Sequence, residues 1–213
     1  MQKAFLVDGS ICLGCNTCAM ACKNQYHQDK GILWRKVREI GAENYLIDNN
    51  NILPTLVSYE KAPKTTMPAE RFYFSLACNH CENPACVAIC PVGAHAKDAA
   101  TGIVKHDQSI CIGCGGCVKA CPFGASKFNE KMGRAEKCSM CWERQDEGKK
   151  TACVQACPVG AIMVIDLHDP QYKEIANNPS PIGIDYAINA ETKPTTRFIH
   201  PSMPKEVYRL PKG

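Results

Sequence analysis

The sequence predicts an α+β fold in which two small modules are nested along the chain and held by bound metal rather than by one large core. Three observations predict it: sixteen cysteines among 213 residues, their grouping into four sets of four, and the phrase Cys-Pro-x-Gly-Ala closing three of those sets. Cys12, Cys15, Cys18, Cys22 and Cys111, Cys114, Cys117, Cys121 both follow the run C-x2-C-x2-C-x3-C. In Cys78, Cys81, Cys86, Cys90 the middle gap widens to four residues, and in Cys138, Cys141, Cys153, Cys157 to eleven. No cysteine is left over.

This run is the ligand spacing of bacterial-ferredoxin-type iron–sulfur sites. Three thiolates close in sequence wrap three corners of a [4Fe–4S] cube, and the chain then turns away and delivers the fourth to a neighbouring cube. The chain is therefore expected to carry four [4Fe–4S] clusters, with iron held by all sixteen cysteines, and to move electrons. Small residues between the ligands, as in Ile112-Gly113 and Leu13-Gly14, let backbone amides approach the sulfurs and tune the potential. Pro91, Pro122 and Pro158, each after the last cysteine of its set, fix φ and withdraw a donor; Lys23 stands there in the first set. Zinc would suit the last set alone, which would pass as a zinc ribbon, but that set stands beside two compact runs. A disulfide scaffold belongs to shorter secreted chains.

The elements follow in order. Residues 3–8 read as a strand. Residues 31–40, with Ile32, Trp34, Lys36 and Arg38 alternating, and residues 70–76 read as two more. Residues 43–69, rich in Asn, Pro and Thr, are a loop, either docking a partner or an exposed excursion. Only twenty residues separate Cys90 from Cys111, enough for a hairpin turning at 98–102. Sets two and three thus form an inner ferredoxin-like module over 70–129. The first and last sets must then pair across the chain as an outer module, 1–30 plus 130–167, closed by the N-terminal strand beside a strand at 161–167. Residues 31–69 are a strand-and-loop insertion. Residues 168–213 carry seven prolines and read as an extended tail lying over the cluster domain or a partner. Exchange of fourth ligands assigns Cys12, Cys15, Cys18 and Cys157 to one cluster and Cys138, Cys141, Cys153 and Cys22 to its neighbour. The inner pair is Cys78, Cys81, Cys86 with Cys121, and Cys111, Cys114, Cys117 with Cys90.

Charge excludes one partner class. The formal charge of +4 counts neutral thiols; sixteen thiolates subtract sixteen and four oxidised cores return eight, leaving −4, which gives no support to nucleic-acid binding. No apolar run approaches the roughly 18 residues of a membrane span, and residues 1–7 are too short for a signal segment. Membrane association would come through partners, on the cytoplasmic face or by co-export with a signal-bearing partner. Among other residues, His80 is expected to be structural, because a full cysteine set needs no imidazole. His27, His95, His106, His168 and His200 share no spacing and read as surface or loop residues. Residues 127–150, with seven basic and five acidic side chains, read as a solvated face apart from Lys137 and Arg144, which flank ligands.

The segments Cys78-Asn-His-Cys-Glu-Asn-Pro-Ala-Cys86, Cys111-Ile-Gly-Cys-Gly-Gly-Cys117, Lys137-Cys-Ser-Met-Cys-Trp-Glu-Arg144 and Gly148-Lys-Lys-Thr-Ala-Cys153 resemble the four-cluster electron-transfer subunit of the dimethyl sulfoxide reductase family. The likeness spans about residues 5–164. It implies a non-catalytic relay, docked on a large molybdopterin or tungstopterin catalytic subunit and often on a quinol-oxidising membrane anchor, in anaerobic respiration. It also implies the same nested ligand pairing. Some relatives replace a third-set cysteine with tryptophan and carry a [3Fe–4S] centre; Cys111, Cys114, Cys117 and Cys121 are all present here, implying four [4Fe–4S] clusters. The alternatives are a free polyferredoxin, a relay subunit of a formate dehydrogenase or hydrogenase, and a structural metal scaffold.

Overall fold

The computed structural model describes residues 1–40, 72–177 and 191–199; the loop expected at 43–69 lies outside them. Strand β1 (Lys3–Asp8) is the centre of a three-stranded sheet, between β8 (Ile162–Asp166) and β9 (Arg197–Ile199). β8 runs antiparallel to it, with Phe5 opposite Val164, and β9 parallel, with Val7 opposite Phe198. A strand covered on both faces needs apolar residues at successive positions, and Ala-Phe-Leu-Val supplies them. Phe5 and Val7 face a core shared with Phe74, Ile103, Met140 and the buried cysteines Cys18, Cys78, Cys138 and Cys153. Ala4 and Leu6 face Ile165, Ile199 and Ile175 of helix α6 (Lys173–Asn177), which closes the other side.

Three two-stranded ladders complete the β structure. β2 (Lys36–Ile40) pairs with β3 (Phe72–Leu76), β4 (His95–Lys97) with β5 (Val104–His106), and β6 (Lys127–Asn129) with β7 (Arg134–Glu136), all antiparallel. The β4–β5 hairpin is the one expected between Cys90 and Cys111. The strand expected over 31–40 begins only at Lys36, because side chains satisfy the backbone before it. Lys23 Nζ donates to the carbonyls of Asp29 (2.6 Å) and Ile32 (3.1 Å), and Gln28 Oε1 accepts from the Trp34 amide (3.1 Å). The β6–β7 hairpin falls where sequence reasoning saw only a charged face.

The helices beside the cysteines are short: α1 (Thr17–Gln25), α2 (Ala85–Ala88), α3 (Gly116–Ala120), α4 (Trp142–Asp146) and α5 (Ala152–Gln155). α2 packs on α3 and α1 on α5. A proline after Cys90, Cys121 and Cys157 bars α2, α3 and α5 from running on past those cysteines; with Lys23 in that place α1 runs on to Gln25. In the tail, a 3₁₀ turn (Pro170–Tyr172) precedes α6, and residues 191–199 return to the body of the protein. No helix among the described residues is long and apolar enough to cross a membrane.

Phe74 meets Phe72 and Phe198 edge-on, each at 5.5 Å between ring centres, and is fully buried beneath β1. Truncation of Phe74 to alanine should therefore destabilise the iron-loaded chain by about 3–5 kcal/mol. The measurement is the guanidinium midpoint under anaerobic conditions, and an unchanged midpoint would contradict this packing.

Candidate metal centres

All four sets open on the same turn. The residue before the second cysteine is left-handed in each: Gly14 (φ 70°), His80 (φ 45°), Gly113 (φ 71°) and Met140 (φ 57°). Glycine takes this conformation without penalty. At Gly113 a Cβ would also collide with the carbonyl oxygen of Gly133. In the two stretched sets side chains occupy the position, at a strain of order 1–3 kcal/mol, and both are fully buried. His80 accepts a hydrogen bond at Nδ1 from the Val104 amide (3.1 Å). The bond clamps the cysteine turn to β5.

The phrase Cys-Pro-x-Gly-Ala is a second repeated device. In each copy the glycine is left-handed, at Gly93 (φ 67°), Gly124 (φ 54°) and Gly160 (φ 68°). The alanine amide thereby folds back onto the cysteine sulfur four residues earlier: Ala94 to Cys90 (3.2 Å), Ala125 to Cys121 (3.3 Å) and Ala161 to Cys157 (3.2 Å). In the first set, where no such phrase exists, Gln28 Nε2 donates to Cys22 Sγ instead (3.4 Å).

The cysteines of different sets converge. One space is lined by Cys78, Cys81, Cys86 and Cys121, with Lys137 and Thr192 on its wall. A second is lined by Cys90, Cys111, Cys114 and Cys117. Each thus gathers three cysteines of one set and the last of the other. Among the described residues no three ligating side chains close on a single metal ion; the thiols surround spaces instead, a donor set that fits a polynuclear cube. Elsewhere Cys12 interacts electrostatically with Cys18, Cys157 and Cys15, and Cys22 with Cys153 and Cys141. Cys138 interacts in the same way with Cys22, Cys78 and Cys153.

Burial is the leading force on these thiols, and mutual repulsion adds to it. Cys81 and Cys86 are pushed up to about 12 and Cys22 to about 11, while fully buried Cys138 rises well above its ordinary value. Two thiols go the other way. The Thr17 hydroxyl, 3.3 Å from its sulfur, lowers exposed Cys15. Against the opposing effect of burial, the amides of His95, Val92, Ala94 and Gly93 lower Cys90. The buried thiols that resist ionisation release their protons when a strongly cationic guest binds.

Sequence reasoning singled out Lys137 and Arg144, and they differ. Lys137 is buried, donates to the carbonyls of Val104 and Cys138 (3.1 Å to the latter), and acts electrostatically on Cys86. Arg144 is half-buried and ties α4 to Gln25 of α1 (3.0 Å) and Gln155 of α5. The expectation for His95 and His106 was wrong. They are stacked cross-strand partners at 4.3 Å, lining the second space, with His95 buried. Their spacing around the 98–102 turn was the available signal. Arg35, fully buried among cysteines, gave no signal at all. The tail contributes as well. The Glu82 and Asn83 amides donate to the carbonyls of Lys193 (2.8 Å) and Thr192 (3.0 Å), and Thr195 Oγ1 donates to Asn79 O (2.7 Å), fastening residues 191–199 over the Cys78 turn.

A family model described as a 4Fe-4S dicluster domain matches residues 69–167. Over 161 residues the sequence is 38% identical to a component polypeptide of the anaerobic dimethyl sulfoxide reductase of Escherichia coli K12, covering 76% of this protein and 72% of that one. It is 34% identical over 181 residues to a component of the sulfite dehydrogenase of Allochromatium vinosum, covering 79% and 70%. It is 31% identical over 209 residues to the beta subunit of the chlorate reductase of Ideonella dechloratans, covering 73% and 64%.

Three histidines make the assembly pH-sensitive. Burial, aided by Lys137, lowers His80 far below the ordinary range and His106 to about 4; burial and then His106 lower His95 to about 3. The unfolded chain protonates these rings near pH 6.5, so below that value it binds more protons than the folded one. Stability rises with pH across this window and is lost as pH falls from about 7 toward 4. The urea midpoint of the iron-loaded chain should drop between pH 7 and 5, and His106→Gln should flatten that slope. Parallel slopes for the two proteins would refute the assignment.

Proposed function

The chain belongs to the 4Fe-4S electron-transfer subunits of the dimethyl sulfoxide reductase family, and on that premise we propose that it relays single electrons through four [4Fe–4S] clusters. The relay joins a quinol-oxidising membrane anchor or other donor to a molybdenum or tungsten bis-pterin catalytic subunit of an anaerobic reductase. Cys12, Cys15, Cys18 and Cys157 hold the first cluster, and Cys138, Cys141, Cys153 and Cys22 its neighbour. Cys78, Cys81, Cys86 and Cys121 hold the third, and Cys111, Cys114, Cys117 and Cys90 the fourth. The observation that carries this reading is the crossing at the two inner spaces, each ringed by three cysteines of one set and one of the other.

The clusters supply one-electron carriers cycling between 2+ and 1+ cores. The chain's own residues do the rest. Cysteines fix the carriers, alanine amides donate to the sulfurs that gain charge, and the fold brings two pairs together. Both compact runs also present an exposed cysteine among exposed apolar side chains: Cys15 beside Leu13 and Met20, and Cys114 beside Ile112 and Ile110. Two such ends suit a conductor with a partner at each. Substrate chemistry belongs to the catalytic partner. The similar proteins are named as reductases and as a dehydrogenase, so the direction of flow is set by the partners' potentials rather than by the relay.

The test is anaerobic purification from the native cell. About sixteen irons per chain are expected, with interacting [4Fe–4S]⁺ signals in reduced-state EPR and a large pterin-containing polypeptide co-purifying in equal amount. About eight irons would confine the clusters to one pair, and recovery alone with full iron would favour a free polyferredoxin.

A further inference from the structure

Arg35 lies between α1 and β2, 1% exposed and among the largest fully buried side chains. Its guanidinium stacks on Phe5, with Cζ 4.3 Å from the ring centre, and Nη1 donates to the Ser75 carbonyl (3.3 Å) and hydroxyl (3.0 Å). Nε and Nη2 are buried without a partner among the described residues. No carboxylate pairs with it there. The groups facing its charge are the sulfurs of Cys153, Cys138, Cys18 and Cys22. A permanently charged guanidinium in such a site needs a counter-charge, and neutral thiols supply none. Four thiolates around a 2+ core carry a net dianion, which does.

We propose that Arg35 is a shared counter-cation of the two outer clusters, a positioning residue that raises the reduction potential of both, with Ser75 passing part of its effect to Cys18. The inference rests on the ligand assignment proposed above, in which Cys18 belongs to the first cluster and Cys22, Cys138 and Cys153 to its neighbour. Each reduction adds one electron to a 2+ core and makes the assembly more negative, and a fixed positive charge in a low-dielectric site favours the more negative state. Ser75 Oγ lies 3.1 Å from Cys18 Sγ. Because that oxygen accepts from Arg35, its hydrogen is free for the thiolate, and hydrogen bonds to cluster sulfurs act on the potential in the same direction. Arg35 does not titrate, so the bias is constant across physiological pH.

The experiment is an EPR-monitored redox titration, with dithionite as reductant, of the iron-loaded full chain and its Arg35→Gln, Arg35→Lys and Ser75→Ala variants. In Arg35→Gln two of four midpoints should fall, each reduction equilibrium shifting at least tenfold, which is about 59 mV for one electron. Arg35→Lys should recover most of both shifts, and Ser75→Ala should lower one midpoint only. Unmoved midpoints in an Arg35→Gln protein that holds full iron would overturn the proposal, as would an unmoved set in Ser75→Ala, which decides the matter if Arg35→Gln fails to load. A wild-type chain with about eight irons would instead overturn the ligand assignment, a result distinct from unmoved midpoints at full iron.

Discussion

Cys121 reaches the space ringed by Cys78, Cys81 and Cys86, and Cys90 reaches the one ringed by Cys111, Cys114 and Cys117; this mutual crossing is what the surrounding structure serves. Sulfurs from separate stretches must arrive together, so every element between them is cut to length. The helices α2, α3 and α5 have only four or five residues, far below the length at which helices stand alone in water. The hairpins β4–β5 and β6–β7 return the chain over one cysteine set and into the next. Even the apolar core is organised this way, with Cys18, Cys78, Cys138 and Cys153 packed among Phe5, Val7 and Phe74.

One local solution recurs with local substitutions. The compact sets place glycine at the left-handed corner, while the stretched sets place His80 and Met140 there and bury them to hold the strain. Three sets end on proline and a left-handed glycine that returns an amide to sulfur; the first replaces that device with a longer helix and the Gln28 side chain. A position can therefore lose its usual residue when another atom delivers the same hydrogen bond or the same backbone constraint.

Cysteine spacing is visible in one dimension because each ligand run is local, so the sets, the β4–β5 hairpin and the β1–β8 pairing were all legible in the sequence. Features that failed to show depend on distance in space. Arg35 is separated by 40 residues from Ser75, and nothing in its neighbourhood marks it for burial. His95 and His106 meet only because the hairpin register puts them opposite each other. Residues 127–136 read as a charged face because β6 and β7 are three residues each, too short for alternation to register. In the tail, the β9 contact lies beyond a proline-rich stretch, and parallel pairing with β1 leaves no local mark.

The position of β1 has a consequence in time. Its two neighbours in the sheet are residues 162–166 and 197–199, so as the chain leaves the ribosome β1 is made long before either strand that pairs with it. The cysteines that ring the two inner spaces, 78 to 121, emerge from one continuous stretch, whereas Cys12 meets Cys157 only after most of the chain has been made. Nascent chains thus pass through a stage in which Ala-Phe-Leu-Val has two open edges, the situation that invites pairing with other chains. Synthesis order gathers the cysteines of the two inner spaces early and leaves β1 dependent on whatever shields it until residues 197–199 arrive.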